Sequence, residues 1–150
     1  MIKYLNTLVT FAEIPEEVTF SINITNCQNR CPGCHSPELR ENIGTELSNE
    51  ELKSLIEKNK GISCVLFLGE GNDKPRIEEL GKFVQSLGLK SAVYSGCVEV
   101  PEEYWDCFDY IKIGPYIESL GPLNSKTTNQ RLYKKTENFK FEDITSMFWK

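Results

Sequence analysis

Between residues 48 and 113 the apolar residues switch three times from helical spacing to a short β-prone run. Ser48-Asn49-Glu50-Glu51 reads as a capping box, and Leu52, Leu55 and Ile56 follow at helical spacing until Gly61. Residues 62–68 then form an apolar strand. Ile77, Leu80, Phe83, Val84 and Leu87 share one helical face over residues 75–87, which ends at Gly88. Residues 91–94 and 110–113 are two further strands, with a short helix between Pro101 and Phe108. Such alternation demands parallel strands joined by right-handed crossovers, so the fold class is α/β. Upstream, residues 5–11 and 18–24 are β-prone runs joined by Glu13-Ile14-Pro15-Glu16-Glu17, which predicts an N-terminal β-hairpin. An eight-stranded barrel takes about 250 residues. The chain has 150, so the expected architecture is a partial (β/α) barrel or an open parallel sheet, a single domain over residues 1–150. In either case the site falls at the carboxyl ends of the strands.

Charge and hydropathy narrow the function classes. The net charge is −5, which gives the chain little attraction for a phosphate backbone, so nucleic acid is not an expected partner. The longest uninterrupted apolar run, residues 64–68, is far short of the roughly 20 residues a membrane span needs. Residues 1–6 carry neither a continuous apolar stretch nor a small-residue cleavage site, so the expected location is the cytoplasm.

The six cysteines divide by spacing. Cys64, Cys97 and Cys107 are scattered, and each is expected to be a structural residue. Cys27, Cys31 and Cys34 are bunched as C-x3-C-x2-C on a segment that directly follows a strand. A structural zinc site uses four ligands, commonly as two separated pairs, and no second C-x-x-C or H-x3-H pair exists. His35, the single histidine, would have to fold back onto an ion shared with its neighbour Cys34. Three thiolates on a cubane of four irons instead leave one iron without a protein ligand, open to a small molecule. Pro32 and Gly33 keep the segment tight, with little side-chain bulk.

A C-x3-C-x2-C motif after an early strand of an α/β chain resembles that of the radical S-adenosylmethionine enzymes. The segments Cys31-Pro32-Gly33-Cys34-His35-Ser36-Pro37-Glu38-Leu39, Asp109-Tyr110-Ile111-Lys112-Ile113-Gly114-Pro115-Tyr116-Ile117-Glu118 and Thr128-Asn129-Gln130-Arg131-Leu132 are similar to those of the anaerobic ribonucleotide reductase activating proteins. The resemblance implies a 4Fe-4S cluster on Cys27, Cys31 and Cys34, whose open iron chelates S-adenosylmethionine. It further implies one-electron cleavage, with a donor such as flavodoxin, to methionine and a 5′-deoxyadenosyl radical. That radical would remove a hydrogen from a glycine of the reductase's catalytic subunit, leaving a glycyl radical there. By the same resemblance Gly33, Cys34, His35, Leu68, Gly69, Glu70 and Ser95 contact S-adenosylmethionine.

The chain departs from the pattern at two places. Gly33 stands where many radical S-adenosylmethionine enzymes carry an aromatic residue, with His35 after it. The usual G-G-(E/D)-P appears as Leu68-Gly69-Glu70-Gly71, which keeps a glycine for close backbone approach and an acid for an ammonium group. The role of Asn129, Gln130 and Arg131 is open in the sequence, with an exposed polar turn as its plainest reading. Residues 142–149 read as a short helix packed on the domain. Two other functions fit the cysteine motif: activation of a different glycyl-radical enzyme, and a zinc-binding interaction module without catalysis.

Overall fold

Two β-prone runs joined by a short loop fold back on one another, and they do so here. A computed structural model describes residues 2–11, 13–25, 43–71, 73–97, 99–115, 117–136 and 140–149. Strand β1 (Lys3–Thr10) and strand β2 (Thr19–Ile24) pair antiparallel, with Thr10 opposite Thr19, as the hairpin reading expects. The two-residue strand β3 (Thr45–Glu46) adds to the outer edge of β1.

Helix α1 (Asn49–Lys58) starts where Ser48 accepts the amide N–H of Glu51, which satisfies one of the open donors of the first turn. Strand β4 (Cys64–Leu68) follows, then helix α2 (Lys74–Ser86), capped by Asp73 through the amide of Arg76 and carrying Pro75 in its first turn. Strand β5 (Lys90–Tyr94), the one-turn helix α3 (Tyr104–Cys107) and strand β6 (Tyr110–Ile113) complete the alternation.

Strands β2, β4, β5 and β6 are mutually parallel neighbours. An uninterrupted apolar strand needs cover on both faces, and β4 has it. Val65 and Phe67 lie in a core with Leu52 of α1, Ile77, Leu80 and Val84 of α2, and Tyr104 of α3. Cys64 and Leu66 lie in a second core with Ile14, Leu132 and Ile144. The period of two along β4 therefore sends alternate residues to two different cores, and all three helices share one of them.

The sheet departs from the all-parallel expectation. Strand β7 (Arg131–Lys135) pairs antiparallel with β6, and strand β8 (Phe141–Asp143) antiparallel with β7. The result is an open, mixed sheet of eight strands in the order β3-β1-β2-β4-β5-β6-β7-β8. Strand β7 buries one residue, Leu132, and is otherwise polar or partly exposed, so its backbone pairing with β6 leaves no apolar alternation to read. Residues 142–149 are likewise not a single helix: they hold the end of β8 and a 3₁₀ turn at Thr145–Phe148, held where Asp143 accepts the amide and hydroxyl of Thr145.

One close contact sets how far α2 sits from α3. A Cβ on Gly81 would lie 2.6 Å from the Phe108 ring and 2.8 Å from the Cys107 carbonyl oxygen. Phe108 is itself held edge-on by Tyr104 and Phe67. Alanine is the better helix former by about 1 kcal/mol, but here the methyl overpacks a full core. Gly81→Ala is expected to lose about 1–3 kcal/mol, read as a lower urea midpoint; an unchanged or higher midpoint would show that the ring gives way freely.

Candidate functional site

In parallel strands the loops that follow the carboxyl ends gather on one rim, and four do so here. After β2 comes Thr25, after β4 Gly69-Glu70-Gly71, after β5 Ser95-Gly96, and after β6 Gly114-Pro115. Backbone bonds tie these exits together: Gly69 N–H donates to the Tyr94 carbonyl at 3.1 Å, Ser95 N–H to that of Lys112 at 2.8 Å, and Gly114 N–H to that of Cys97 at 2.7 Å.

Gly71 has φ +59°, and a Cβ there would meet the Thr25 carbonyl oxygen at 3.1 Å and the Ile2 side chain at the same distance. Gly69 has φ +104°. Only glycine takes these conformations without strain, so the two residues bend the chain sharply on either side of Glu70. Thr25 is the last described residue before the cysteine motif, so this contact joins the start of that segment to the glycine turn.

Glu70 is 6% exposed, and its Oε1 is buried with no hydrogen-bond partner among the described residues. Its Oε2 lies 3.6 Å from the ammonium of Lys74, the first residue of α2. Lys74 in turn donates to Cys97 Sγ at 3.4 Å. Burial works against the charge of Lys74, but Glu70 and Cys97 outweigh it and hold the ammonium above its usual range. Tyr104 also has a buried hydroxyl without a hydrogen-bond partner; burial first, then the charge of Glu70, pushes its pKa up and keeps it protonated.

Ser95 is fully buried, and its Oγ accepts the amide N–H of Cys97 at 3.0 Å, which shapes the turn after β5. Leu68 ends β4, paired between Asn23 and Tyr94. Leu68, Gly69, Glu70 and Ser95 are thus brought to one rim. The remaining expected contacts, Cys27, Cys31, Gly33, Cys34 and His35, lie outside the described residues. Among the described residues no group of three or more metal-ligating side chains occurs, and no described helix is long and apolar enough to cross a membrane.

The segment around Gln130 is not an exposed turn. Gln130 is buried and donates through Nε2 to the Gly114 carbonyl at 3.4 Å, while Asn129 donates through Nδ2 to the Pro115 carbonyl at 3.1 Å. A Cβ on Gly114 would sit 3.2 Å from the Gln130 Cα. Asn129 and Gln130 therefore brace the loop after β6, and Arg131 opens β7 opposite Ile113. Lys112 is buried on β6, with Nζ 3.4 Å from the Gly114 carbonyl oxygen and over the Tyr94 ring.

The rim also holds two residues that sequence reasoning did not select. Lys74 had a signal, four residues after Glu70 at a helix start. Cys97 had none. Cys64 and Cys107 are buried as expected of structural cysteines, and burial pushes both thiols up. Cys97 is only half-buried and faces Lys74.

No family model matches the chain, and neither the curated proteins nor the solved structures give a significant match to it.

Proposed function

We propose that the chain is a cytoplasmic activating enzyme of the radical S-adenosylmethionine class, built on a partial barrel of that type. In this reading Cys27, Cys31 and Cys34 hold a 4Fe-4S cluster, and its target is a glycine of the anaerobic ribonucleotide reductase. The observation that carries the reading is the Glu70 carboxylate, buried at the rim with one oxygen unpartnered. A buried acceptor left unpaired costs about 1–3 kcal/mol, more if charged, so a fold that keeps one at a strand's carboxyl end has a donor to receive there. The ammonium group of S-adenosylmethionine is such a donor.

Cys27, Cys31 and Cys34 would hold the cluster, which when bound would supply one-electron reduction of S-adenosylmethionine. The protein's own part is placement. Glu70 takes the ammonium on Oε1, because Lys74 already stands beside Oε2. Gly69 and Gly71 keep side chains out of the turn around it. Leu68 offers an apolar contact and Ser95 fixes the adjoining turn, while Gly33 and His35 flank the third cysteine in sequence. Asn129 and Gln130 hold the loop after β6 in place.

Glu70→Gln, reconstituted with iron and sulfide without oxygen, is expected to keep the iron content of the parent. Its affinity for S-adenosylmethionine is expected to fall by about 10- to 100-fold, the value of a hydrogen bond to a charged group. Equilibrium binding checks this. Unchanged affinity would make Leu68-Gly69-Glu70-Gly71 a turn and nothing more.

A further inference from the structure

Reactive cysteines sit in partly exposed, electropositive surroundings, whereas buried ones are inert. Among the described cysteines only Cys97 meets that description, half-buried with the Lys74 ammonium 3.4 Å from its sulfur. It does not stand alone. Lys74 spans from Cys97 Sγ to Glu70 Oε2, and Glu70 is itself a buried carboxylate with its other oxygen unpartnered. The backbone around the thiol is fixed on both sides, through Cys97 N–H to Ser95 Oγ and the Cys97 carbonyl to Gly114 N–H. A group added to the sulfur therefore cannot be carried away by a swing of the loop without breaking both bonds.

We propose that Cys97 is a redox modification site beside Lys74 and Glu70, which takes up small disulfides such as oxidised glutathione and, once modified, blocks an ammonium ligand from Glu70. The exchange balances without a further oxidant. The Cys97 sulfur attacks one sulfur of the small disulfide and a new S–S bond forms. The old S–S bond breaks, one small thiolate leaves with the electron pair, and the Cys97 proton passes through solvent to that thiolate. A reducing thiol reverses every step. The adduct displaces Lys74 from its contact with the sulfur, and its bulk and its own ammonium group then compete at Glu70 for the position of the ligand. This rests on the function proposed above only for the identity of the ligand.

The test uses the cluster-loaded full chain, treated with oxidised glutathione under anaerobic conditions and mapped by peptide mass spectrometry. Cys97 is expected to be modified at least about tenfold faster than Cys64 or Cys107, which react only through local opening. S-adenosylmethionine is expected to slow modification at Cys97 alone, and the adduct to bind it at least about tenfold more weakly, restored by dithiothreitol. Cys97→Ser is expected to lose the disulfide sensitivity. Modification of Cys97 no faster than of the two buried cysteines would overturn the proposal, and so would an adduct that binds as the parent does. Failure of the untreated chain to bind S-adenosylmethionine would instead count against the functional reading, and the selectivity of modification would still decide the site.

Discussion

Cys31→Ala, reconstituted without oxygen beside the parent, is expected to lose most of its iron and labile sulfide, where the parent holds about four of each per chain. The size of the effect follows from the ligand count. With three thiolates for four irons, one iron already lacks a protein ligand, and removing a second attachment leaves the cubane held at two corners. The same loss or lability is expected for serine at Cys27, Cys31 or Cys34. Cys64→Ala, Cys97→Ser and Cys107→Ala are expected to keep the full complement, since two of these side chains are buried in the cores and the third faces Lys74. A full cluster in Cys31→Ala would end the assignment. Zinc without labile sulfide in the parent would turn the chain into a metal-bound interaction module, and the Glu70 carboxylate would then need another partner.

What could be read beforehand follows the physics of each element. The capping serine of α1, the apolar face of α2 and the uninterrupted strand β4 are local or strongly periodic, and the first two end within a residue or two of the pattern. The parallel core of the sheet followed from their alternation. Strands β7 and β8 escaped because their order is borrowed: Lys134 and Lys135 sit on a strand whose hydrogen bonds run to β6 on one side and β8 on the other, with Leu132 as its one buried residue. The site divides the same way. Glu70 was singled out through the resemblance of Leu68-Gly69-Glu70-Gly71 to the usual G-G-(E/D)-P; by itself the stretch reads as a turn that ends a strand. Lys74 has a local mark, four residues after Glu70, but its meeting with Cys97 has none, since it depends on how the turn after β5 approaches the start of α2. Gln130 is a third case. A polar residue in a polar run reads as exposed, yet it is buried because the Gly114 carbonyl gives its amide a partner.

In the presence of S-adenosylmethionine, a reductant and the anaerobic reductase, the chain is expected to form 5′-deoxyadenosine and a protein-centred glycyl radical visible by electron paramagnetic resonance. The sequence has no G-x-x-x-x-G-K-[ST] loop to cradle nucleotide phosphates, and its net charge of −5 offers them no general attraction. In the proposed function the hydrogen removed belongs to a glycine of another protein. Three of the four strand exits at the rim carry glycine, Gly69 and Gly71 after β4, Gly96 after β5 and Gly114 after β6, and such turns leave room for a backbone to approach. Hydrogen transfer needs the donor carbon at contact distance, and in the proposed function these turns would let the partner's glycine approach. Lengthening the turn's side chain tests that geometry: Gly71→Val meets the Thr25 carbonyl and Ile24 at once and is expected to lower radical yield by more than Glu70→Gln does. Changing the reductase's candidate glycine to alanine is expected to abolish the signal. An undiminished doublet in that variant would place the radical at another residue, and no doublet with the intact reductase, despite formation of 5′-deoxyadenosine, would shift the assignment to a different glycyl-radical partner.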